Sequence, residues 1–225
     1  MARIRYNSFR TPQRAVLDYD NMIKLRYGNT NTFFIPGKDR GLLVDTDWAG
    51  TLPRFFKAIG NAGIGINDIG FLLATHYHPD HTGLAGELQA LGVTLVIADV
   101  QLSSIRFPDG IFSREKIRGY KPADESAAKI VSCKESRSFL ASLGISGEII
   151  HTPSHSSDSV SLILDDGCAF VGDLEPASYI GAYDGGALKK DWENVIGLLK
   201  KVPPPARIYP SHANEKELYL KDNDK

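Results

Sequence analysis

Four side chains of metal-binding type fall within six consecutive positions: His76, His78, Asp80 and His81, in the run Thr75-His76-Tyr77-His78-Pro79-Asp80-His81-Thr82-Gly83. Imidazole and carboxylate suit divalent transition metals, zinc first among them. In extended backbone His76 and His78 are two apart and can point to the same side. Asp80 and His81 follow Pro79, where the chain must turn, so they can face a neighbouring position. Two pairs of ligands on two faces is what a two-metal site needs. A single histidine is more often a surface or satisfied core residue, but His/Asp clustering at ligand spacing is a strong motif.

The same donor types recur at the ends of short apolar runs. Glu148-Ile149-Ile150 leads into His151-Thr152-Pro153-Ser154-His155. Cys168-Ala169-Phe170-Val171 ends at Gly172-Asp173, and Arg207-Ile208-Tyr209 ends at Pro210-Ser211-His212. Strand ends that converge on one rim of a sheet bring such residues to one place. Five of the six histidines fit this pattern, and His151 stands outside it.

The elements that must position these residues follow from periodicity. Strands are expected at 22–27, 32–35 and 42–44, joined by the turn signals 28–31 and 36–41. An amphipathic helix follows at 52–59. The apolar run 69–74 reads as a buried strand feeding the ligand loop, with a helix from that loop to Leu91 and a strand at 93–98. Residues 99–132 break this rhythm with Pro108, Gly110, Gly119 and Pro122 among scattered aromatics. That pattern reads as a partly helical cap able to lie over the ligand loop. Its cations Arg114, Lys116, Arg118 and Lys121 could hold an anionic substrate group, or could equally be a solvated surface stretch. A helix at 134–143, strands at 159–164 and 168–171, a helix at 189–201 and a strand at 207–209 complete the reading. One domain is expected over 1–225, with a charged, fraying tail at 214–225. Asp45 is open to two readings: a helix N-cap, or a carboxylate steadying a metal ligand. Asp47 reads as the former.

Bulk properties remove other classes. Lys+Arg is 26 against Asp+Glu 27, so nothing favours nucleic acid or a membrane surface. No apolar run approaches a membrane span, and the start of the chain lacks the apolar core of a secretory signal, which points to the cytoplasm. Cys133 and Cys168 are too few for a disulfide framework.

The set Thr75–His81, Thr152–His155, Gly172-Asp173 and Pro210-Ser211-His212 resembles the metallo-β-lactamase-fold superfamily over roughly residues 20–213, with Asp45 at its first motif. The resemblance implies an α+β fold, an αββα sandwich of two mixed sheets with metals at one sheet edge. It implies that His76, His78 and His155 bind one divalent ion, that Asp80, His81 and His212 bind a second, and that Asp173 bridges. The ions would be two Zn²⁺, with Fe or Mn as substitutes, and Asp80 would also orient the attacking water. Ser154 departs from a common glycine. Asp173 occupies the place of a cysteine in the commonest β-lactamase subclass, and the lactonase tyrosine position holds Glu175-Pro176. The expected activity is hydrolysis of an ester, thioester, lactone or amide-type bond in a small molecule, by a monomer or homodimer. The alternatives are a mononuclear-iron oxygenase acting on a sulfur substrate, a β-lactam hydrolase, or a metal-stabilised binding protein.

Overall fold

A computed structural model describes residues 22–117, 119–182, 186–202 and 205–218. The first part of the chain makes β1 (Ile23–Arg26), β2 (Asn31–Ile35), β3 (Gly41–Val44), α1 (Leu52–Asn61), β4 (Ile69–Leu73), α2 (Pro79–Thr82), α3 (Ala85–Gln89), β5 (Thr94–Ala98), α4 (Phe107–Arg114) and β6 (Lys129–Val131). The rest makes α5 (Ser136–Ser142), β7 (Gly147–His151), β8 (Val160–Leu164), β9 (Cys168–Gly172), α6 (Ala187–Leu199), β10 (Ala206–Pro210) and β11 (Lys216–Leu218). One sheet runs β1-β2-β3-β4-β5-β6 and the other β11-β10-β9-β8-β7. Both are mixed: β3 to β6 are parallel and β1 to β3 antiparallel, while the parallel pair β9–β10 sits among antiparallel neighbours.

The layering follows from strands that are apolar on both faces, as strands covered twice must be. In the first sheet Phe34, Leu43, Leu72, Leu95 and Ile97 face outward onto Phe55 and Ile59 of α1, Leu84 at the start of α3 and Leu88 within it. Their neighbours Phe33, Ile35, Leu42, Val44, Leu73 and Val96 face inward, onto Val160, Leu162, Phe170 and Tyr209 of the second sheet. The outer face of that sheet, Ile163, Ala169, Val171 and Ile208, meets Leu188, Val195 and Leu199 of α6. The order helix, sheet, sheet, helix is the expected αββα sandwich. Phe33 anchors its seam, with ring centroids 5.0 Å from Phe170 and 5.6 Å from Tyr209. Such pairs add about 0.5–1.5 kcal/mol each beyond the area they bury.

Three expectations need correction. The helix from the ligand loop is two short helices, because Leu84 N donates to Thr46 Oγ1 at 3.4 Å and Thr82 Oγ1 donates to the His78 carbonyl at 3.0 Å. Those side chains divert backbone groups from the helical ladder. The expected fraying tail contains β11, paired antiparallel to β10. The segment 99–132 contains β6, which extends the first sheet. Positions 1–21, Arg118, Tyr183 and 219–225 lie outside the described residues.

Candidate metal centre

Beyond β4, the ligand loop is held by donors and acceptors from both sheets. Thr75 N donates to Asp45 Oδ1 at 2.7 Å, and the Thr75 carbonyl accepts from Val160 N at 2.8 Å. Tyr77 N donates to Asp158 Oδ2 at 2.8 Å, and Gln101 Nε2 donates to the Ala74 carbonyl at 2.9 Å. His78 then caps α2, with Pro79 in the first turn, so Asp80 and His81 turn to a different side. This is the two-faced geometry expected from Pro79.

The remaining ligand candidates arrive on loops that follow β7, β9 and β10. Ser154 N donates to the buried Asp191 carboxylate of α6 at 2.7 Å, which fixes the His155 loop. Gly172 has φ +59, and a Cβ there would stand 2.5 Å from Thr75 Oγ1. Only glycine allows β9 to turn this close to the ligand loop and deliver Asp173. Asn31 Nδ2 donates to the carbonyls of Pro210 and Ala213 at 3.0 and 2.8 Å, clamping the His212 loop to β2.

The expected ligands converge in three overlapping groups: His76, His78 and His155; Asp80, His81 and His212; and His76, His81 and Asp173. Within each group the donor atoms lie within 4.8 Å of one another. Asp173 stands between the other two groups: its oxygens are 3.9 Å from His76, 3.7 Å from His155 and 3.4 Å from both His81 and His212. His76 Nε2, His81 Nε2 and Asp173 Oδ1 are buried atoms without hydrogen-bond partners among the described residues. Unpaired buried donors and acceptors aimed at one point are costly unless something sits between them. His151 is exposed, and its Nε2 lies 2.8 Å from the Ser157 carbonyl, outside the three groups.

Of the two readings of Asp45, the structure favours the second, a carboxylate set against a candidate ligand. Asp45 is fully buried with φ 58, and the N-cap position of α1 is held by Thr51 instead. Its Oδ2 faces His81 Nδ1 at 3.0 Å and accepts from Ser211 Oγ at 2.8 Å. That contact leaves His81 Nε2 to face the site. Asp47 is not a helix cap either; it accepts from Thr30 N and Trp48 N at 3.0 and 2.6 Å and holds a turn.

Charge is distributed to suit ions. Burial and the adjacent His81 push His76 strongly toward its neutral form. Burial, then His155, also lowers His78. Burial alone would depress His81, but the charges of Asp45 and Asp173 carry it up to about 10. Asp173 and Asp80 likewise raise His212 to about 10. Burial opposes ionisation of Asp173, yet the close approach of His212 and His81, each 3.4 Å away, keeps its carboxyl far below the usual range. In metal-free protein both raised imidazoles therefore keep their protons until pH passes about 10. A metal requires them neutral, so loading at pH 8 must expel those protons. Zinc titration calorimetry in two buffers of different ionisation enthalpy is expected to read at least two protons released per chain, one each from His81 and His212. Release near zero at pH 8 would refute this electrostatic picture.

Two surfaces flank the centre. On one side α4 packs against α2, and the exposed Phe107 ring lies 5.5 Å from the His78 ring. Arg114, Lys116 and Lys121 are exposed. On the other side a cleft of about 830 Å³ opens from His155, Asp173 and His212 along the outer face of the second sheet.

A family model described as the metallo-beta-lactamase superfamily matches residues 25–212. The chain is 27% identical over 188 residues to a beta-lactamase-like protein 2 homolog of Drosophila melanogaster, a match spanning 82% of this chain and 59% of the fly protein. It is 28% identical over 196 residues to a probable metallo-hydrolase of Methanocaldococcus jannaschii, spanning 83% and 89% of the two chains. A crystal structure of a protein in a di-iron-bound form superposes with a TM-score of 0.63 at 20% identity, covering 87% of this chain and 93% of that one. The profile match spans most of the chain and ends at His212, and with the sandwich and its rim of histidines it assigns the chain to the metallo-beta-lactamase superfamily.

Proposed function

We propose that the protein is a binuclear metal-dependent hydrolase that cleaves an ester, thioester, lactone or amide-type bond in a small molecule. The observation that carries this reading is Asp173, a carboxylate within 3.4–3.9 Å of four histidines drawn from two ligand groups. His76, His78 and His155 would hold one ion, Asp80, His81 and His212 the other, with Asp173 between them. The unpaired buried atoms of His76, His81 and Asp173 fit such ions. Zn²⁺ suits this donor set, and Fe or Mn can replace it. The archaeal metallo-hydrolase and the di-iron-bound relative support the reading. We assign the cytoplasm, which suits the free thiols of Cys133 and Cys168.

Bound ions of this kind lower the pKa of a coordinated water to about 7 and polarise a carbonyl. The chain's own residues do the rest. Asp45 fixes the ring of His81, and Asp158 and Asp191 hold the loops that carry the other ligands. Asp80, part-exposed and 3.3 Å from His212 Nε2, is placed to orient water and accept its proton. No serine or cysteine nucleophile is needed. We read α4, with Phe107 beside His78, as one wall of the substrate site.

Purified protein supplied with zinc, iron or manganese is expected to retain close to two equivalents per chain and to hydrolyse members of an ester, thioester, lactone, β-lactam and phosphodiester panel. A single iron with oxygen consumption on a sulfur substrate would favour the oxygenase instead. Folded protein that stays metal-free in excess zinc would remove both readings.

A further inference from the structure

The cleft beside the metal centre has a chemistry of its own. Its polar end is His155, Asp173 and His212. From there it runs between α6 and the strands β9, β10 and β11 to Leu218. Val171, Leu174, Ile180, Trp192, Ile196 and Leu218 supply the walls. The helix buries Leu188, Val195 and Leu199 against the sheet, so it is anchored by other residues than those it offers to the cleft. Trp192 Nε1 donates to the Glu175 carbonyl at 2.9 Å, which satisfies the indole's one polar atom and fixes the ring. Ile180 is 38% exposed, a large apolar residue left on the surface at the cleft wall. Of the charged residues along the cleft, Lys189 lies 3.8 Å from Glu193, and Glu175 and Lys216 complete the set. Arg114, Lys116 and Lys121 are not among the lining residues.

An apolar trough with metal-ligand candidates at one end sorts a substrate into two parts. We propose that this cleft takes a medium-length acyl chain, so that the substrate is an acyl ester or thioester whose carbonyl lies at the His155–Asp173–His212 end. The inference rests on the hydrolytic reading for the bond that is cut, and on the cleft alone for the chain that is bound. In the reaction the oxygen of water joins the acyl carbon, the acyl–oxygen or acyl–sulfur bond breaks, and the alcohol or thiol leaves with the remaining proton. The acid product keeps its chain in the trough. The volume of about 830 Å³ is far more than an acetyl group fills, so short substrates would leave most of the apolar wall wet.

Two measurements test this together. The first is hydrolysis of p-nitrophenyl acetate, butyrate and octanoate by zinc-loaded protein. Each buried methylene is expected to raise kcat/KM about fourfold, so octanoate should exceed butyrate by about 200-fold. The second is calorimetric binding of sodium butyrate and sodium octanoate, which share a carboxylate and differ only in chain. Octanoate should bind more tightly by a similar factor. Ile196→Trp, which fills the trough, should bring both ratios close to one. Ile180→Asp, at an exposed wall position, should lower them as well and serves if the first variant does not fold. Equal turnover and equal binding of the two chain lengths would overturn the proposal, as would ratios that survive both variants. Preferential octanoate binding lost in the variants, without turnover of any ester, would support the trough and count against the hydrolytic reading alone.

Discussion

Asp173→Ala is expected to cost the protein metal and to lower hydrolysis by on the order of a thousandfold or more. A metal ion contributes several kcal/mol of transition-state charge stabilisation, and each 1.4 kcal/mol or so is a factor of ten in rate. Among the described residues Asp173 is the one carboxylate within 4 Å of histidines from both ligand groups, so its removal is expected to loosen both positions together. It also removes the charge that, with Asp80, keeps the His212 proton, and so returns that imidazole toward its ordinary range. His151→Ala is the control. It removes a histidine at the end of β7, but an exposed one directed to the Ser157 carbonyl, and metal content should stay at the wild-type level. Elemental analysis with turnover measurements on both variants decides the matter. Equal metal loss in the two would mean that the assignment is wrong at one of them.

Asp45 carries the second large effect, and it divides into two parts. The carboxylate is fully buried and serves Thr75 N, Thr75 Oγ1, Ser211 Oγ and His81 Nδ1. Asp45→Ala strands those groups and breaks a buried charged pair, which costs about 3–5 kcal/mol. It also puts alanine at φ 58, where aspartate and asparagine are better tolerated. Denaturant unfolding of the metal-free variant should show the loss. Asp45→Asn keeps shape and backbone preference but offers an N–H toward His81. The ring must then accept at Nδ1, placing its proton on Nε2, the atom a metal needs. This variant is expected to fold nearly as well as wild type while losing about 10- to 100-fold in metal affinity. Wild-type zinc affinity in Asp45→Asn would show that Asp45 does not set the orientation of His81.

Three of the candidate ligands were legible because they follow short apolar runs. His76 after β4, Asp173 after β9 and His212 after β10 lie where period-two burial stops, and the sandwich brings those stops to one rim. The residues that hold the candidate ligands in place were not legible. Asp158, Asp191, Gln101 and Asn31 are single polar residues with no local pattern, and their partners are 81, 37, 27 and 179 positions away. The strands β6 and β11 have three residues each, too short for alternation to show. The break between α2 and α3 depends on Thr46, 38 residues from the Leu84 amide it accepts. The acyl trough is a property of α6 and three strands packed together, and none of those segments carries it alone.

Each of the three ligand groups draws on both sheets, the loop after β4 from one and the loops after β7, β9 or β10 from the other. An ion held there is a rivet through the seam of the sandwich. Whatever loosens the seam also loosens the rivet, because the free energy that closes the two sheets is part of the free energy that preorganises the ligands. Phe33, Phe170 and Tyr209 lie inside that seam and donate no atom to the metal groups. By the same coupling, their packing enters the metal-binding constant, and a bound ion returns the favour by holding the aromatic seam shut.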